Sequence, residues 1–285
     1  MFRNMSPGAI GIQGSMAEVL PLAKKAGFQG IDLNIREAAK ITAESSADEV
    51  SRLFDEARMR MGGWGLPVDF RKDEDTYLKG LEQLPELARL GEALGCRRVP
   101  TWISPASDEL TFEENFQLHV RRLRGVAEVL RDFGCSLGLE FVAPKTSRAG
   151  RKHEFLHDLP GMLKLCEAIG TGNVGLLLDA WHWYTAHGTI EQIRNLRAEQ
   201  VVYVHVNDAP AGVAVDEQID NVRCLPGATG VIDIAGFLGT LAEIGCTAPV
   251  TPEPFVKELR EMPAAEAAQT VGKTMAKIWK AGGLR

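Results

Sequence analysis

Four side chains that can hold a metal ion fall at the ends of four consecutive β-like runs in the second half of the chain. "SLGLEFVA" (136–143) carries Glu140. "VGLLLDAWH" (174–182) carries Asp179, with His182 three residues on. "VVYVHVND" (201–208) carries His205, then Asn207 and Asp208. "APVTPEPF" (248–255) carries Glu253 between Pro252 and Pro254. Each has an ordinary explanation by itself: an acid at a strand end often caps the next helix, and a lone His is more often a hydrogen-bonded core residue than a ligand. Together they are harder to explain in that way. Delivered to one rim, the carboxylates would crowd one another in a low-dielectric pocket, where like charges are costly. A divalent cation removes that conflict. Three carboxylates and one imidazole make a hard, mostly oxygen donor set, which favours Mn²⁺, Mg²⁺ or Co²⁺ and also accommodates Zn²⁺.

One rim requires a scaffold that aligns successive strand ends. From end to end the chain alternates short β-like runs with helical patterns. The runs are "AIGI" (9–12), "GIDLNI" (30–35), "GGWGLPVDF" (62–70), "RRVPTWIS" (97–104) and the four above. Helices follow them, at "MAEVLPLAKKAG", near 47–60, 75–94 and 111–133, at "LHDLPGMLKLCEAIG", and near 189–197, 233–244 and 263–281. Repeated strand–helix alternation means a parallel sheet covered by helices. Eight pairs in this length predict an α/β protein, a single-domain (β/α)₈ TIM barrel over residues 1–285, with its site at the C-terminal ends of the strands. "KKAGFQGIDL", "EALGCRRVP", "RDFGCSLGLE", "EAIGTGNVGLLL" and "AEIGCTAPV" each place a Gly where it can end a helix in the left-handed region before the next strand. A doubly wound open sheet is the alternative, but no run is followed by G-x-G-x-x-G.

A net charge of −6 disfavours a nucleic-acid partner. No apolar run is long enough to cross a bilayer, and "MFRNMSPGAIGIQG" lacks a basic segment followed by an apolar core. A cytoplasmic protein without a membrane partner is expected. Cys96, Cys135, Cys166, Cys224 and Cys246 form no C-x-x-C motif and read as reduced, small core residues.

The pattern "GLEF", "LLLDAWHWY", "VYVHVND", "RCLPGATGVIDI" and "PVTPEPF" resembles the xylose-isomerase-like sugar isomerase/epimerase superfamily. The likeness covers essentially the whole chain, and the specific motifs lie in its second half. It implies one divalent metal held by Glu140, Asp179, His205 and Glu253, with Glu140 and Glu253 doubling as the acid/base pair. The implied activity is isomerisation or epimerisation of a ketose or keto-sugar derivative: the metal chelates a carbonyl and a neighbouring hydroxyl oxygen and stabilises the enediolate formed when a carbon-bound proton leaves. His182, in D-x-x-H spacing, would reach a substrate hydroxyl, and Arg223 matches a family Arg that contacts substrate or an acid ligand. The family often continues "PGEG", whereas Pro226-Gly227-Ala228-Thr229-Gly230 is one residue longer and lacks the acid; this turn reads equally as a phosphate site or as a plain turn. Lys145 is a candidate for a substrate hydroxyl, carboxylate or phosphate. Trp64 and Trp102 are candidates for the pocket lining. Trp181, Trp183 and Tyr184 read either as core packing or as an apolar wall against the sugar, Trp183 most of all. His153 and His157 sit in a charged loop that could be a lid, Asn34 and Asp69 end strands without a clear role, and His119 and His187 read as surface residues.

Three rival functions share the scaffold. A lyase or dehydratase would expel a leaving group after the same proton abstraction. An apurinic-endonuclease-like hydrolase would need three zinc ions and further histidines, which strands three and four and the strand-seven loop lack. A non-catalytic sugar-binding barrel is opposed by the intact donor set. Homodimers or homotetramers are a family-level expectation.

Overall fold

The computed structural model describes residues 1–284. Its main sheet has eight parallel strands: β1 (Phe2–Met5), β2 (Gly30–Ile31), β3 (Arg60–Met61), β4 (Arg98–Ile103), β5 (Ser136–Phe141), β6 (Val174–Asp179), β7 (Val201–Val206) and β8 (Pro249–Pro252). They pair in the order β3-β2-β1-β8-β7-β6-β5-β4. The residues just after β3 close the ring onto β4, Trp64 N–H donating to Arg98 O at 3.0 Å and Leu66 N–H to Pro100 O at 3.2 Å. The expected (β/α)₈ barrel is therefore present.

Helices pack outside the sheet. The first five are α1 (Met16–Lys25), α2 (Ile35–Glu44), α3 (Ala47–Ala57), α4 (Glu74–Ala93) and α5 (Phe112–Asp132). After the single turn α6 (Lys145–Arg148) come α7 (Leu159–Ile169), α8 (Ala180–Thr185), α9 (Ile190–Arg194), α10 (Ile234–Glu243), α11 (Lys257–Glu261) and α12 (Ala264–Ala281). Side-chain caps set the starts of several of these helices. Asp73, Asp158 and Asp233 each accept from the backbone three residues on, and Thr111 forms a reciprocal capping box with Glu114. The repeated helix-ending glycines, Gly27, Gly95, Gly134, Gly170 and Gly245, all have positive φ, as their spacing predicts.

The first half departs from the sequence reading in four places. β1 is Phe2–Met5, and "AIGI" lies over a 3-10 turn (Gly8–Ile10) and the glycine that ends it. β2 stops at Ile31, because Asn34 caps α2 by accepting from Glu37 N–H; α2 itself is an additional helix. β3 precedes "GGWGLPVDF" and does not lie in it. His119 is buried on the inner side of α5 between Phe70 and Phe155, and is not a surface residue.

One irregularity decides the chemistry. Between Leu176 and Leu177 the β6–β7 register slips by a residue: Leu176 pairs with Val201, but Leu177 pairs with Tyr203. This bulge turns Val202 as well as Tyr203 into the barrel, over Gly138 and Gly175, where no side chain obstructs it. Beyond it Asp179 lies opposite His205. Without the slip Asp179 would face Val204, whose side chain points to the helices.

Candidate metal centre

Period-two alternation puts Leu137, Leu139 and Phe141 against the helices and turns Glu140 inward at the end of β5. Asp179 and His205 follow from β6 and β7. Glu253, one residue past β8, is held in the ladder by its N–H bond to Val206 O at 3.0 Å. One donor atom from each of Glu140, Asp179, His205 and Glu253 lies within 4.8 Å of the others. His205 Nδ1 is 3.1 Å from Glu140 Oε1, 3.4 Å from Glu253 Oε2 and 3.9 Å from Asp179 Oδ2.

The charges in this cluster are in conflict. Burial pushes Glu140 up to about 7. Burial also raises Glu253. Burial alone would lower His205, but the carboxylates of Glu253, Glu140 and Asp179 draw it up to about 10. The protein thus retains protons where positive charge is wanted. The donors fit a divalent ion: two opposed metal–oxygen bonds span about 4.0–5.2 Å, and all four donor atoms lie within 4.8 Å of one another.

Asp179 answers why an apolar strand runs into a carboxylate. Its Oδ1 caps α8 by accepting from Trp181 N–H at 2.7 Å and also takes Asn207 Nδ2 at 2.9 Å. Its Oδ2 is left for the cluster and for Arg223, whose Nη1 donates to it at 2.7 Å. Capping and ion binding are served by different oxygens of one side chain. Burial would raise this carboxyl, but Arg223, His182 and His205 together hold it down at about 2.

Arg223 also donates to Glu253 Oε2 at 3.0 Å and to Asp220 Oδ1 at 2.8 Å. His182 lies behind it, 2% exposed. Its Nδ1 accepts from Ala143 N–H at 3.2 Å, and its Nε2 is 3.3 Å from Arg223 Nη2. Burial lowers His182 to about 4, so the ring is neutral. It touches protein groups on both nitrogens.

The tryptophans separate. Trp102 pairs in register with Glu140, shares its inward face, and is half exposed at the mouth beneath the Arg71 guanidinium. Trp64 does not line the pocket. Its neighbour Gly63 faces the barrel interior, so Trp64 points outward to Gly91 of α4 and donates to Cys96 O at 2.9 Å. Trp183 is likewise a packing residue, set against Phe237 of α10 and bonded to Thr189 O. Trp181 is buried with Arg223 near its ring. Lys145 pairs with Asp216 at 3.4 Å, and not with any of the four donors; the exposed His187 meets the same carboxylate at 2.8 Å. His153 belongs to a two-stranded ribbon with Ser107, and His157 bonds Phe155 O, which ties this loop down.

Two residues at the site escaped the sequence reading. Asp220 lies in the irregular 209–230 stretch, which carries no periodic signal. Asp32 follows β2 directly, and its Oδ1 accepts from Tyr203 OH at 2.7 Å and from Asn4 Nδ2 at 2.8 Å. Reading β2 as far as Ile35 made Asn34 the strand-end residue and hid Asp32.

Known proteins share this architecture. A xylose isomerase domain protein from Alicyclobacillus acidocaldarius superposes with a TM-score of 0.86 at 31% identity, covering 99% of each chain. Inosose isomerase of Bacillus velezensis is 22% identical over 265 residues, 91% of this chain and 90% of its own. The 3-dehydroshikimate dehydratase of Pseudomonas aeruginosa is 27% identical over 261 residues, 90% of this chain but only 39% of that longer protein. Residues 20–276 match the family described as the xylose isomerase-like TIM barrel, and the chain belongs to that family.

Proposed function

We propose that the protein is a divalent-metal-dependent isomerase or epimerase of a ketose or keto-sugar derivative, which removes a proton from the carbon beside a carbonyl. The observation that carries this reading is the convergence of three carboxylates and one imidazole within 4.8 Å at the barrel rim. Glu140, Asp179, His205 and Glu253 would hold one ion, with Mn²⁺, Mg²⁺ or Co²⁺ favoured by the oxygen-rich set and Zn²⁺ also accommodated. Such an ion polarises a carbonyl oxygen and acidifies the neighbouring C–H. Glu140 and Glu253 act as the acid/base pair. They come from β5 and β8, the two ends of a four-strand arc, and so approach a substrate from different sides, as epimerisation requires. Arg223 fixes Glu253 and Asp179 through its guanidinium, His182 packs behind Arg223, and Trp102 forms an apolar wall beside Glu140. A cytosolic, homo-oligomeric enzyme fits this role.

A lyase is the second reading, favoured by the 27% identity to 3-dehydroshikimate dehydratase over 90% of this chain. The same proton abstraction would then be followed by expulsion of a β-hydroxyl as water. Incubation of the metal-loaded enzyme with keto-sugars in D₂O tests both readings. Deuterium gain without other mass change supports the isomerase, and loss of water the lyase. Glu140→Gln should abolish exchange and leave the fold intact; full exchange in that variant refutes Glu140 as the base.

A further inference from the structure

We infer that Asn207 is a positioning residue of the proposed metal centre: its amide ties up Asp179 Oδ1 and leaves Oδ2 as the one oxygen that Asp179 can offer an ion. The inference rests on the reading above that Glu140, Asp179, His205 and Glu253 hold a divalent metal.

The first observation is an imbalance in the Asn207 amide. Asn207 lies two residues past His205, on the same inward side of the chain, and is 0% exposed. Its Nδ2 donates to Asp179 Oδ1 at 2.9 Å and reaches Glu253 O at 3.5 Å. Its Oδ1 meets no donor among the described residues. A buried amide whose acceptor is left bare is destabilising and calls for a reason. Turning the amide over gives no relief, because Oδ1 would then face Asp179 Oδ1, acceptor against acceptor. The next residue shows the contrast. The Asp208 carboxylate accepts from the N–H groups of Ala209, Thr229, Gly230 and Ile232 at 2.8–3.0 Å. These backbone donors go to Asp208, and Asn207 Oδ1 goes without. The fold thus tolerates an orphaned oxygen while presenting an N–H to one particular carboxylate oxygen.

The second observation is what that N–H does to Asp179. Each carboxylate oxygen has about two lone-pair positions. Both positions on Oδ1 are taken, by Trp181 N–H at 2.7 Å and by Asn207 Nδ2. On Oδ2 one is taken, by Arg223 Nη1 at 2.7 Å. Oδ2 is also the oxygen on the side of the cluster, 3.9 Å from His205 Nδ1. With Trp181 N–H as its only partner, Oδ1 would keep a spare lone pair, and the carboxylate could turn towards the ion or clamp it with both oxygens. Asn207 closes that alternative.

The third observation is the place of Asn207 in the sheet. β7 lies between β6 and β8, which do not pair with each other. One amide at the end of β7 touches the Asp179 side chain on one flank and the Glu253 main chain on the other. Two proposed ligands from separate strands are referred to the same group.

Asn207→Leu and Asn207→Ala test the inference through Mn²⁺ affinity by calorimetry, urea unfolding in chelator, and the visible spectrum of Co²⁺ bound in place of Mn²⁺. Asn207→Leu removes the donor and the orphaned oxygen together, and Asp179 Oδ1 keeps Trp181 N–H. The unfolding midpoint without metal should therefore stay at the wild-type value. Mn²⁺ should nonetheless bind about tenfold more weakly, the scale for losing a partner that orients a ligand, and the Co²⁺ spectrum should change. Asn207→Ala, which leaves a cavity, should lose the same factor in affinity even if it unfolds more easily. A residue that only braced the fold would lower the midpoint in both variants and leave affinity and spectrum of the folded protein unchanged; that result overturns the inference. Wild-type affinity and spectrum in both variants, with the midpoint unchanged, overturn it as well, and leave the metal centre standing. A wild type that binds no divalent ion removes the metal reading itself and the inference with it.

Discussion

Arg223 Nη1 donates to Asp179 Oδ2 at 2.7 Å, with both side chains almost wholly out of contact with water. The guanidinium lies between the rings of Phe255, at 4.5 Å, and Trp181, at 5.3 Å. A cation in that position serves the fold by compensating Asp179, Glu253 and Asp220, and it serves the site by aiming two proposed ligands. Arg223→Met should therefore destabilise the metal-free protein by about 3–5 kcal/mol, the scale for breaking a buried ion pair from one side. Saturating Mn²⁺ should restore part of that loss, because it supplies positive charge to the same carboxylates. Urea unfolding with and without Mn²⁺ measures both effects. A variant as stable as the wild type in chelator would show that the pair contributes nothing.

The donor cluster predicts its own stoichiometry. Purified enzyme should carry about one equivalent of divalent metal per chain, and Asp179→Ala should lose it. At 100-fold excess over Kd the ion should stabilise the fold by about 2.7 kcal/mol. Burial holds Glu140 up at about 7, and neighbouring carboxylates draw His205 up to about 10, so both must release protons to become ligands. Metal affinity should consequently rise with pH between about 6 and 8, with proton release seen in buffers of different ionisation enthalpy. Two or three equivalents of zinc would instead favour phosphodiester chemistry.

His119 gives a pH dependence of stability that is separate from the metal. Burial lowers it to about 4, and the nearby Arg71 and Arg122 act in the same direction, against its bond to Asn115 O. Its folded pKa lies below the unfolded value of about 6.5, so the unfolded chain takes up the proton first. The contribution is fully present above about pH 6.5 and falls away as pH drops towards 4. The loss amounts to about 3 kcal/mol across that window. His119→Phe, which fits between Phe70 and Phe155, should flatten this part of the acid limb in unfolding experiments at pH 4 to 7. An unchanged slope would assign the acid sensitivity to other groups.

The second half of the barrel is legible in the sequence because its strands show a chemically distinct residue at or next to the strand end. Glu140, Asp179, His205 and Glu253 stood out for that reason. The first half was less legible, since β2 and β3 have two residues each and their pairing rests on neighbours. Hence Asp32 carries no strand-end signal, and "AIGI" reads as a strand although β1 is Phe2–Met5. The bulge at Leu176/Leu177 leaves no mark in the local pattern, yet it brings His205 opposite Asp179. Trp64 and Trp183 misled for a related reason: a large aromatic near a rim is ambiguous until the inward and outward faces of its strand or turn are fixed.

Trp102 and Trp183 turn that ambiguity into a contrast between two substitutions. Trp183 is 6% exposed, packs on Phe237 and donates to Thr189 O. Trp183→Ala should open a cavity between α8 and α10 and destabilise the fold by about 3–5 kcal/mol. Any loss of activity would then follow the loss of folded protein. Trp102 is 46% exposed and meets few side chains besides Arg71. Trp102→Ala should change stability by less than about 1 kcal/mol but remove the apolar surface beside Glu140. If that surface guides the substrate, KM should rise several-fold with kcat nearly unchanged, the signature of binding lost equally from ground and transition states. Thermal unfolding and initial-rate kinetics on both variants distinguish the two roles. A Trp102→Ala enzyme with unaltered KM would remove Trp102 from the site, whereas a Trp183→Ala enzyme that stays folded with raised KM would restore the sugar-wall role to Trp183.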